Sequence, residues 1–132
     1  MTMKNLKNIM ALCLITVMCA CSHKPAAQLV GSDRDEHGCI ASAGYCWSEA
    51  LKDCVRLWEV GVRADNGGDN VYVVFSNDSS VAEVFAGKDR VLCRRDKESG
   101  TWKSKKKKTG ITITDGILKV CVNKKEFVQN KK

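Results

Sequence analysis

The sequence predicts a mainly β protein: a small antiparallel meander or barrel of about seven strands, preceded by a disulfide-stapled segment with one short helical turn. Runs of β-type residues recur between residues 55 and 122, and short connections rich in Asn, Asp and Gly separate them. No helical period of comparable length appears. Closing the meander into a barrel would protect its edge strands.

The predicted sheet is built from runs joined by connections short enough for neighbouring antiparallel strands. The runs lie at Val55–Arg63, Val71–Phe75, Val81–Ala86, Arg90–Arg94, Thr101–Lys103, Ile111–Thr114 and Ile117–Val122. We therefore expect a stapled segment at 33–54, an antiparallel β-domain at 55–123 and a basic polar tail at 124–132. The helical turn is expected at Glu49–Asp53, where Ser48 can cap it.

The last two runs give the clearest local prediction, a hairpin that turns at Asp115-Gly116. Asp-Gly is typical of a two-residue type I′ turn, and this turn fixes the register of the two strands. Cys121 then points away from the core. Four apolar side chains share the opposite, core-facing side: Ile111, Ile113, Leu118 and Val120.

The N-terminus predicts export. Lys4 and Lys7 precede the apolar run Ile9–Met18, which is shorter than the roughly 20 residues that span a bilayer. This pattern is typical of a secretory signal peptide. The following Met18–Cys21 resembles a bacterial lipobox, in which the signal is cut before a cysteine that carries lipid.

The lipobox resemblance implies a lipoprotein signal peptide at 1–20, lipidation of Cys21, and a lipid anchor and tether at 21–32, with an ordinary secretory signal as the alternative. Ser22 stands where an aspartate would favour retention in the inner membrane, so we expect an outer-membrane lipoprotein. No acidic cluster follows Cys21, which favours the periplasmic face. The membrane is thus one expected partner.

Five cysteines remain once two leave with the signal and one takes the lipid. Exported thiols meet an oxidising compartment, so disulfides are expected. Cys39–Cys54 is the first choice, closing a loop that stabilises the fold by about 3 kcal/mol. Cys93–Cys121 is the second pair. Cys46 is then the odd thiol, buried beside its aromatic neighbours or paired with another chain.

The clustered cysteines also raise two chemical alternatives. His37 with Cys39, Cys46 and Cys54 offers zinc ligands, but no CxxC spacing is present. A Cys46–His37 nucleophile would need an orienting third group that the sequence does not identify. No other catalytic set emerges. We expect no enzyme activity, no metal and no cofactor.

The stapled segment carries a resemblance. Gly38-Cys39-Ile40, Ser42–Tyr45 and Trp47-Ser48, followed by Cys54, Arg56 and Glu59, resemble a segment of small exported bacterial proteins, many of them lipoproteins. In that segment the cysteines matching Cys39 and Cys54 form the pair, and the position of Cys46 usually holds another residue. The resemblance implies no chemistry.

Residues 71–120 are similar to the membrane-bound inhibitors of c-type lysozyme, small periplasmic β-barrel lipoproteins. The similarity lies in Val71–Asp78, Ser80–Phe85, Val91-Leu92 and Ser99–Trp102. Those inhibitors insert a Ser- and Gly-containing loop, followed by a lysine, into the acidic cleft of the enzyme. The resemblance implies a contact surface at 96–108, with Ser99, Gly100, Trp102, Lys103 and Lys105 as target-binding residues.

The run Lys103–Lys108 is the strongest charge feature of a chain whose formal net charge is +7. An exported protein rarely meets nucleic acid, so we expect no nucleic-acid partner. The lysines could contact anionic lipid, engage an acidic protein cleft, or form a solvated loop that discourages edge pairing. Trp47 and Trp58 are expected to pack in the core or against the disulfide, and Trp102 to be exposed.

Together these observations predict a lipid-anchored cell-envelope binding protein that inhibits a lysozyme-like envelope hydrolase. The alternative is a structural envelope lipoprotein whose lysine-rich loop contacts anionic lipid or peptidoglycan.

Overall fold

The computed structural model describes residues 33–131. The predictions for the signal at 1–20, lipidation at Cys21 and the tether at 21–32 lie outside the described residues. Within residues 33–131 no helix is long and apolar enough to cross a membrane.

A small N-terminal segment precedes a set of eight consecutive strands. The segment holds a 3-10 turn at Ala41–Ala43, strands β1 (Cys46–Ser48) and β2 (Asp53–Val55), and the one-turn helix α1 (Leu57–Val60). The later strands are β3 (Val62–Asp65), β4 (Asn70–Phe75), β5 (Val81–Ala86), β6 (Asp89–Arg95), β7 (Trp102–Ser104), β8 (Thr109–Thr114), β9 (Ile117–Val122) and β10 (Lys125–Gln129).

Strands β3 to β10 form a closed antiparallel barrel in chain order, with β10 returning to pair with β3. The closing register sets Val128 opposite Asp65 and Gln129 opposite Ala64. Closure removes the two free edges that an open meander would leave. The predicted mainly β fold with a stapled N-terminal segment is therefore confirmed, with eight barrel strands where about seven were expected.

Alternating small and branched residues fill the barrel. In β4 and β5 the inward positions are Val71, Val73, Ala82 and Val84, all essentially inaccessible to solvent. Such residues suit a narrow eight-stranded barrel, whose interior is just wide enough for side chains to fill it. The largest rings at the core, Trp102 and Phe127, lie on other strands.

The predicted final hairpin is confirmed. Ile113 pairs with Leu118 and Ile111 with Val120, and Asp115 and Gly116 both have positive φ, as a type I′ turn requires. One of the four expected core residues differs. Ile113 is 49% exposed, because it lies one residue from the end of its strand, where the barrel opens to solvent.

Two predicted boundaries are wrong. The expected strand Val55–Arg63 is interrupted by helix α1, so Val55 ends β2 and the first barrel strand starts at Val62. The expected tail at 124–132 contains β10, whose Phe127 is buried in the core. Pairing with β9 across a two-residue turn and with the distant β3 orders this lysine-flanked strand, and its own composition gives little sign of it.

The predicted helical turn at Glu49–Asp53 is instead the turn of the β1–β2 hairpin. Ser48 does cap it: the Leu51 amide donates to Ser48 Oγ at 3.2 Å, and the Lys52 amide donates to the Ser48 carbonyl at 2.8 Å. The helical turn of the stapled segment lies earlier, at Ala41–Ala43.

The disulfide Cys39–Cys54 is present, with its Cα atoms 5.5 Å apart. The expected second pair is wrong: Cys93 and Cys121 are both free thiols, as is Cys46. Strand alternation explains the separation. Cys93 faces the barrel interior, whereas Cys121 is exposed on the outer surface, so the barrel wall lies between them.

Candidate functional site

The connections of the barrel fall at two opposite ends, because successive strands of a meander run in opposite directions. One end, here the basic end, carries residues 66–69, 87–88, 105–108 and 123–124. The other, the acidic end, carries residues 76–80, 96–101 and 115–116.

The two ends differ sharply in charge. The connections of the basic end contain six lysines (Lys88, Lys105–Lys108 and Lys124) and a single acid, Asp69. The connections of the acidic end contain Asp78, Asp96, Glu98 and Asp115, against Lys97 alone. The charge run seen in the sequence is therefore part of a larger division of charge across the barrel.

The predicted contact surface at 96–108 is divided between these ends. Ser99 and Gly100 lie at the acidic end and Lys105 at the basic end, with strand β7 between them. Three strand residues span about 10 Å. The five predicted target-binding residues therefore do not form one surface.

Trp102 is the clearest correction to the predicted site. Its side chain is 5% exposed and faces the core, opposite Ile111. The indole N–H donates to the Ser79 carbonyl at 2.8 Å, and the ring meets Phe75 edge-on at 5.0 Å. The Arg95 guanidinium covers it 5.2 Å from the ring centre. A target could not reach this indole without opening the barrel.

The loop Asp96–Thr101 is held by its own hydrogen bonds. The Gly100 amide donates to the Asp96 carbonyl at 2.9 Å, and the Glu98 amide donates to the Asp96 carboxylate at 3.0 Å. That amide is the main reason the pKa of Asp96 is lowered. The exposed Ser99 hydroxyl lies 2.8 Å from the Thr101 hydroxyl. Ser99 is thus presented by a fixed backbone.

Lys103 extends from the outer face of β7 beside this loop. Its Nζ lies 4.0 Å from Asp96 Oδ2, and both side chains are largely exposed. Such a pair contributes little to stability. Lys103 is therefore free to turn toward another carboxylate, and of the predicted lysines it is the one that accompanies Ser99.

Asp78 plays a similar structural role in the neighbouring connection. Its carboxylate accepts hydrogen bonds from the Ser80 amide at 3.0 Å and from the Ser80 and Ser76 hydroxyls at 2.7 Å each. These bonds, the backbone one first, lower the pKa of Asp78 to about 2. The carboxylate holds a turn and carries no sign of acid–base function.

At the basic end two lysine loops meet. The Asn123 amide donates to the Lys107 carbonyl at 2.9 Å, which ties the β9–β10 turn to the β7–β8 connection. Between them lies a shallow groove of about 390 Å³, lined by Lys105, Lys107, Lys108, Asn123 and Lys124. No acidic residue lines this groove.

The lysine loop is also fixed from within. The Lys106 amide donates to Ser104 Oγ at 3.2 Å, and the buried Thr109 hydroxyl donates to the Lys106 carbonyl at 3.1 Å. Lys107 is half-buried and forms an ion pair with Asp89. Lys105, Lys106 and Lys108 remain exposed, so a rigid backbone displays mobile ammonium groups.

The N-terminal segment packs on the outer face of β5 and β6. Glu83 is 1% exposed there and accepts from the Ser48 hydroxyl at 2.8 Å and the Ala50 amide at 3.2 Å. The Arg90 guanidinium donates to the Trp47 carbonyl at 3.0 Å. The segment is thus attached by a buried carboxylate and a surface arginine.

A second groove, of about 530 Å³, lies along this junction and includes Glu36, His37 and Lys106 in its lining. The His37 imidazole stacks on the Trp47 indole at 4.3 Å. Trp47 is half-buried, and its N–H donates to Glu49 at 3.0 Å. These contacts join side chains of the segment to each other.

Trp58 was expected to pack in the core or against the disulfide but is 61% exposed. Its ring lies against Gly44, and the Arg56 guanidinium lies 6.0 Å from its centre. It therefore covers the loop that follows the 3-10 turn.

Cys46 is half-buried, and burial raises the pKa of its thiol despite the opposing charge of Arg90. Burial also raises the pKa of Cys93, to about 11. Both thiols are protonated near neutral pH and are weak nucleophiles. Among residues 33–131 no three His, Cys, Asp or Glu side chains converge as metal ligands.

Sequence reasoning missed Asn123 and Lys124 as members of the basic groove. Both have positive φ, as in a type I′ turn. The sequence Val-Asn-Lys-Lys after a strand was a weak turn signal, and the lysines that follow it favoured a tail instead.

Comparison with protein-family models, with curated proteins and with solved structures finds no match.

Proposed function

We propose that the protein is a lipid-anchored binding protein of the bacterial cell envelope, held in the outer membrane by lipid on Cys21 and facing the periplasm. It acts by contact and not by catalysis. The acids that could serve as general acids or bases are engaged in holding structure: Asp78 and Asp96 fix turns, and Glu83 fixes the N-terminal segment. A closed, filled barrel of this kind offers rigid surfaces.

The proposed partner is a lysozyme-like envelope hydrolase, bound by the loop Asp96–Thr101. The observation that carries this proposal is the fixed loop backbone, which presents the exposed Ser99 hydroxyl next to the mobile Lys103 ammonium. Ser99 would hydrogen-bond within the cleft of the enzyme, and Lys103 would leave Asp96 to pair with a catalytic carboxylate. A rigid loop loses little conformational entropy on binding.

Trp102 and Lys105 have no part in this contact, since one is buried and the other lies at the opposite end. Glu98 opposes it. This exposed carboxylate adjoins Ser99 and would face the acidic cleft, where like charges repel. The surroundings therefore predict a modest inhibitor whose affinity rises when Glu98 is neutralised.

A c-type lysozyme activity assay with the chain from Ser22 to Lys132 tests the proposal; residues 33–132 form one compact unit with its own core. We expect inhibition at micromolar protein. Ser99→Ala and Lys103→Gln should each weaken it about five- to tenfold, and Glu98→Gln should strengthen it by a similar factor. Lys119→Gln, on the outer face of β9, is the charge-matched control and should change nothing.

Two results would contradict the proposal. Absence of inhibition at micromolar protein removes lysozyme as the partner. Inhibition that survives the loss of both Ser99 and Lys103 shows that another surface makes the contact.

A further inference from the structure

We propose that the basic end of the barrel is a docking surface for an anionic phospholipid membrane, whose headgroup phosphates its lysines bind. This surface lies opposite the loop assigned to the hydrolase, so the inference goes beyond that contact. Its orientation toward the membrane rests on the proposed lipid at Cys21.

The first support is uncompensated charge. Of the six lysines in the connections of this end, Lys107 alone has an ion-pair partner among the described residues, Asp89. The one acid of these connections, Asp69, lies 3.6 Å from Lys125 Nζ. The remaining five lysines are exposed and form no ion pair among residues 33–131: Lys88, Lys105, Lys106, Lys108 and Lys124.

The second support is the arrangement of these groups. They come from three separate connections at the same end, and the hydrogen bond between Asn123 and Lys107 holds two of those connections side by side. The lysines therefore form an array over one face of the barrel. Point charges spread over one end of the barrel fit a surface of phosphates, each lysine near it contributing independently.

The same features disfavour other anionic partners. The connections of the basic end contain no aromatic residue on which a nucleobase could stack. The groove between the lysine loops is shallow and lined by four lysines and Asn123, so its charge is spread over several side chains and not concentrated on one. A membrane of acidic lipids is the partner whose headgroup phosphates can contact several of these lysines at once.

The third support is the position of the N-terminal segment. Lys106 lines one groove together with Glu36 and His37, so the segment that begins at Asp33 runs beside the basic end. Residues 21–32 can extend at most about 40 Å. A lipid at Cys21 is therefore within reach of a membrane that this end touches, and the loop Asp96–Thr101 would face away from it.

Vesicle sedimentation of the unlipidated chain from Ser22 to Lys132 tests the inference. We expect binding to vesicles that contain phosphatidylglycerol, no binding to phosphatidylcholine vesicles, and weakening as salt rises. The triple substitution Lys105→Gln, Lys108→Gln and Lys124→Gln should lower the partition coefficient about 100-fold, since each lysine contributes about fivefold.

The matched control removes three exposed lysines outside the basic end: Lys97→Gln, Lys119→Gln and Lys131→Gln. It should lower binding severalfold at most. Both triple variants should have the same melting temperature as the unaltered protein. Equal losses in the two variants would show that net charge alone binds the membrane and would overturn the inference. Absence of binding to anionic vesicles would also overturn it. So would loss of hydrolase inhibition in the variant that carries Lys105→Gln, Lys108→Gln and Lys124→Gln. The lysozyme assay of Ser99 and Lys103 variants judges the hydrolase contact separately.

Discussion

At the scale of single residues, Gly44 and Trp58 show how an exposed aromatic ring closes a loop. Gly44 ends the 3-10 turn with a φ of 83°, and its amide donates to the Ala41 carbonyl at 2.9 Å. The Trp58 ring lies directly over it, so that a Cβ at this position would meet the ring at 2.1 Å. The Arg56 guanidinium lies 4.5 Å from the Tyr45 ring centre on the same loop.

Gly44→Ala should therefore be costly. The left-handed backbone strains any residue with a Cβ, and the contact with Trp58 adds to that strain, so we expect the free energy of unfolding to fall by about 2–3 kcal/mol. Urea unfolding measures it. Gly67→Ala, where φ is 92° but nothing lies within 4 Å of the added carbon, is the control and should cost about 1 kcal/mol. Equal costs would mean that Trp58 simply moves aside.

The three free thiols among residues 33–131 differ in burial, and this predicts their order of reaction. Under native conditions at pH 8 an alkylating reagent should modify the exposed Cys121 first, Cys46 more slowly and Cys93 only on unfolding. Mass spectrometry of timed samples gives the order. Rapid labelling of Cys93, or a peptide map in which it is joined to Cys121, would contradict the inward position of its side chain.

Burial of Cys93 also links stability to alkaline pH. Its pKa is raised from 9.0 to about 11 in the folded protein. The thiol therefore contributes stability that is complete below about pH 9 and is lost as the pH rises through 11, since the unfolded chain releases the proton more readily.

At the scale of secondary-structure elements, the attachment of the β1–β2 hairpin depends on Glu83. Glu83→Ala would leave the Ser48 hydroxyl and the Ala50 amide without their partner under a covering segment. We expect a loss of about 2–4 kcal/mol, with faster amide hydrogen exchange in 46–55 than in the barrel strands. Glu126→Ala, on the exposed face of β10, should change neither. Uniform acceleration across the barrel would show that the hairpin is not a separate element.

Elements set by local chemistry were predictable from the sequence, and those set by distant pairing were not. Asp115-Gly116 fixed its hairpin because two residues dictate both turn type and register. Trp102 was predicted to be exposed because it lies between Gly100 and the lysine run in the sequence. Its position opposite Ile111 decides that it faces the core. The strand around Phe127 exists because β3 and β9 offer it partners.

The candidate site was likewise predictable from the sequence only in part. The lysine run and the Ser99-Gly100 pair were visible in the chain, but their separation to opposite ends follows from where β7 begins and ends. A single contact surface at 96–108 was expected because the resemblance to the lysozyme inhibitors placed Ser99 and the lysines near one another in the chain. The contribution of Asn123 and Lys124 to the basic groove depends on β10 turning back onto β9, and Val-Asn-Lys-Lys gives only a weak signal for that turn.

At the scale of the whole molecule, the meander sorts charge by the order of its turns. Every second connection returns to the same end, so the connection lysines (Lys88, Lys105–Lys108 and Lys124) gather at one end, while the connection acids (Asp78, Asp96, Glu98 and Asp115) gather at the other. With lipid on the side of the basic end, the proposed membrane contact and the proposed hydrolase contact would point in opposite directions. Neither contact would then obstruct the other.

This arrangement depends on closure of the barrel by its last strand. β10 completes the ring through two residue pairs with β3 and four with β9, and it buries Phe127. Phe127→Ala should lower the free energy of unfolding by about 3–5 kcal/mol, measured in urea, because it opens a cavity in the core. Glu126→Ala, one residue away and exposed, is the matched control and should have little effect.

Removal of residues 124–132 should have a further consequence, because it exposes the edges of β3 and β9 together. Unpaired strand edges pair with other chains, so we expect the truncated protein to elute as oligomers in size-exclusion chromatography. Removal of Lys131 and Lys132 alone should leave a monomer, since β10 ends at Gln129 and Asn130 still donates to Asp65 at 3.2 Å. If the longer truncation stays monomeric and unfolds cooperatively, the other seven strands hold the barrel without closure, and the two ends keep their charges independently of β10.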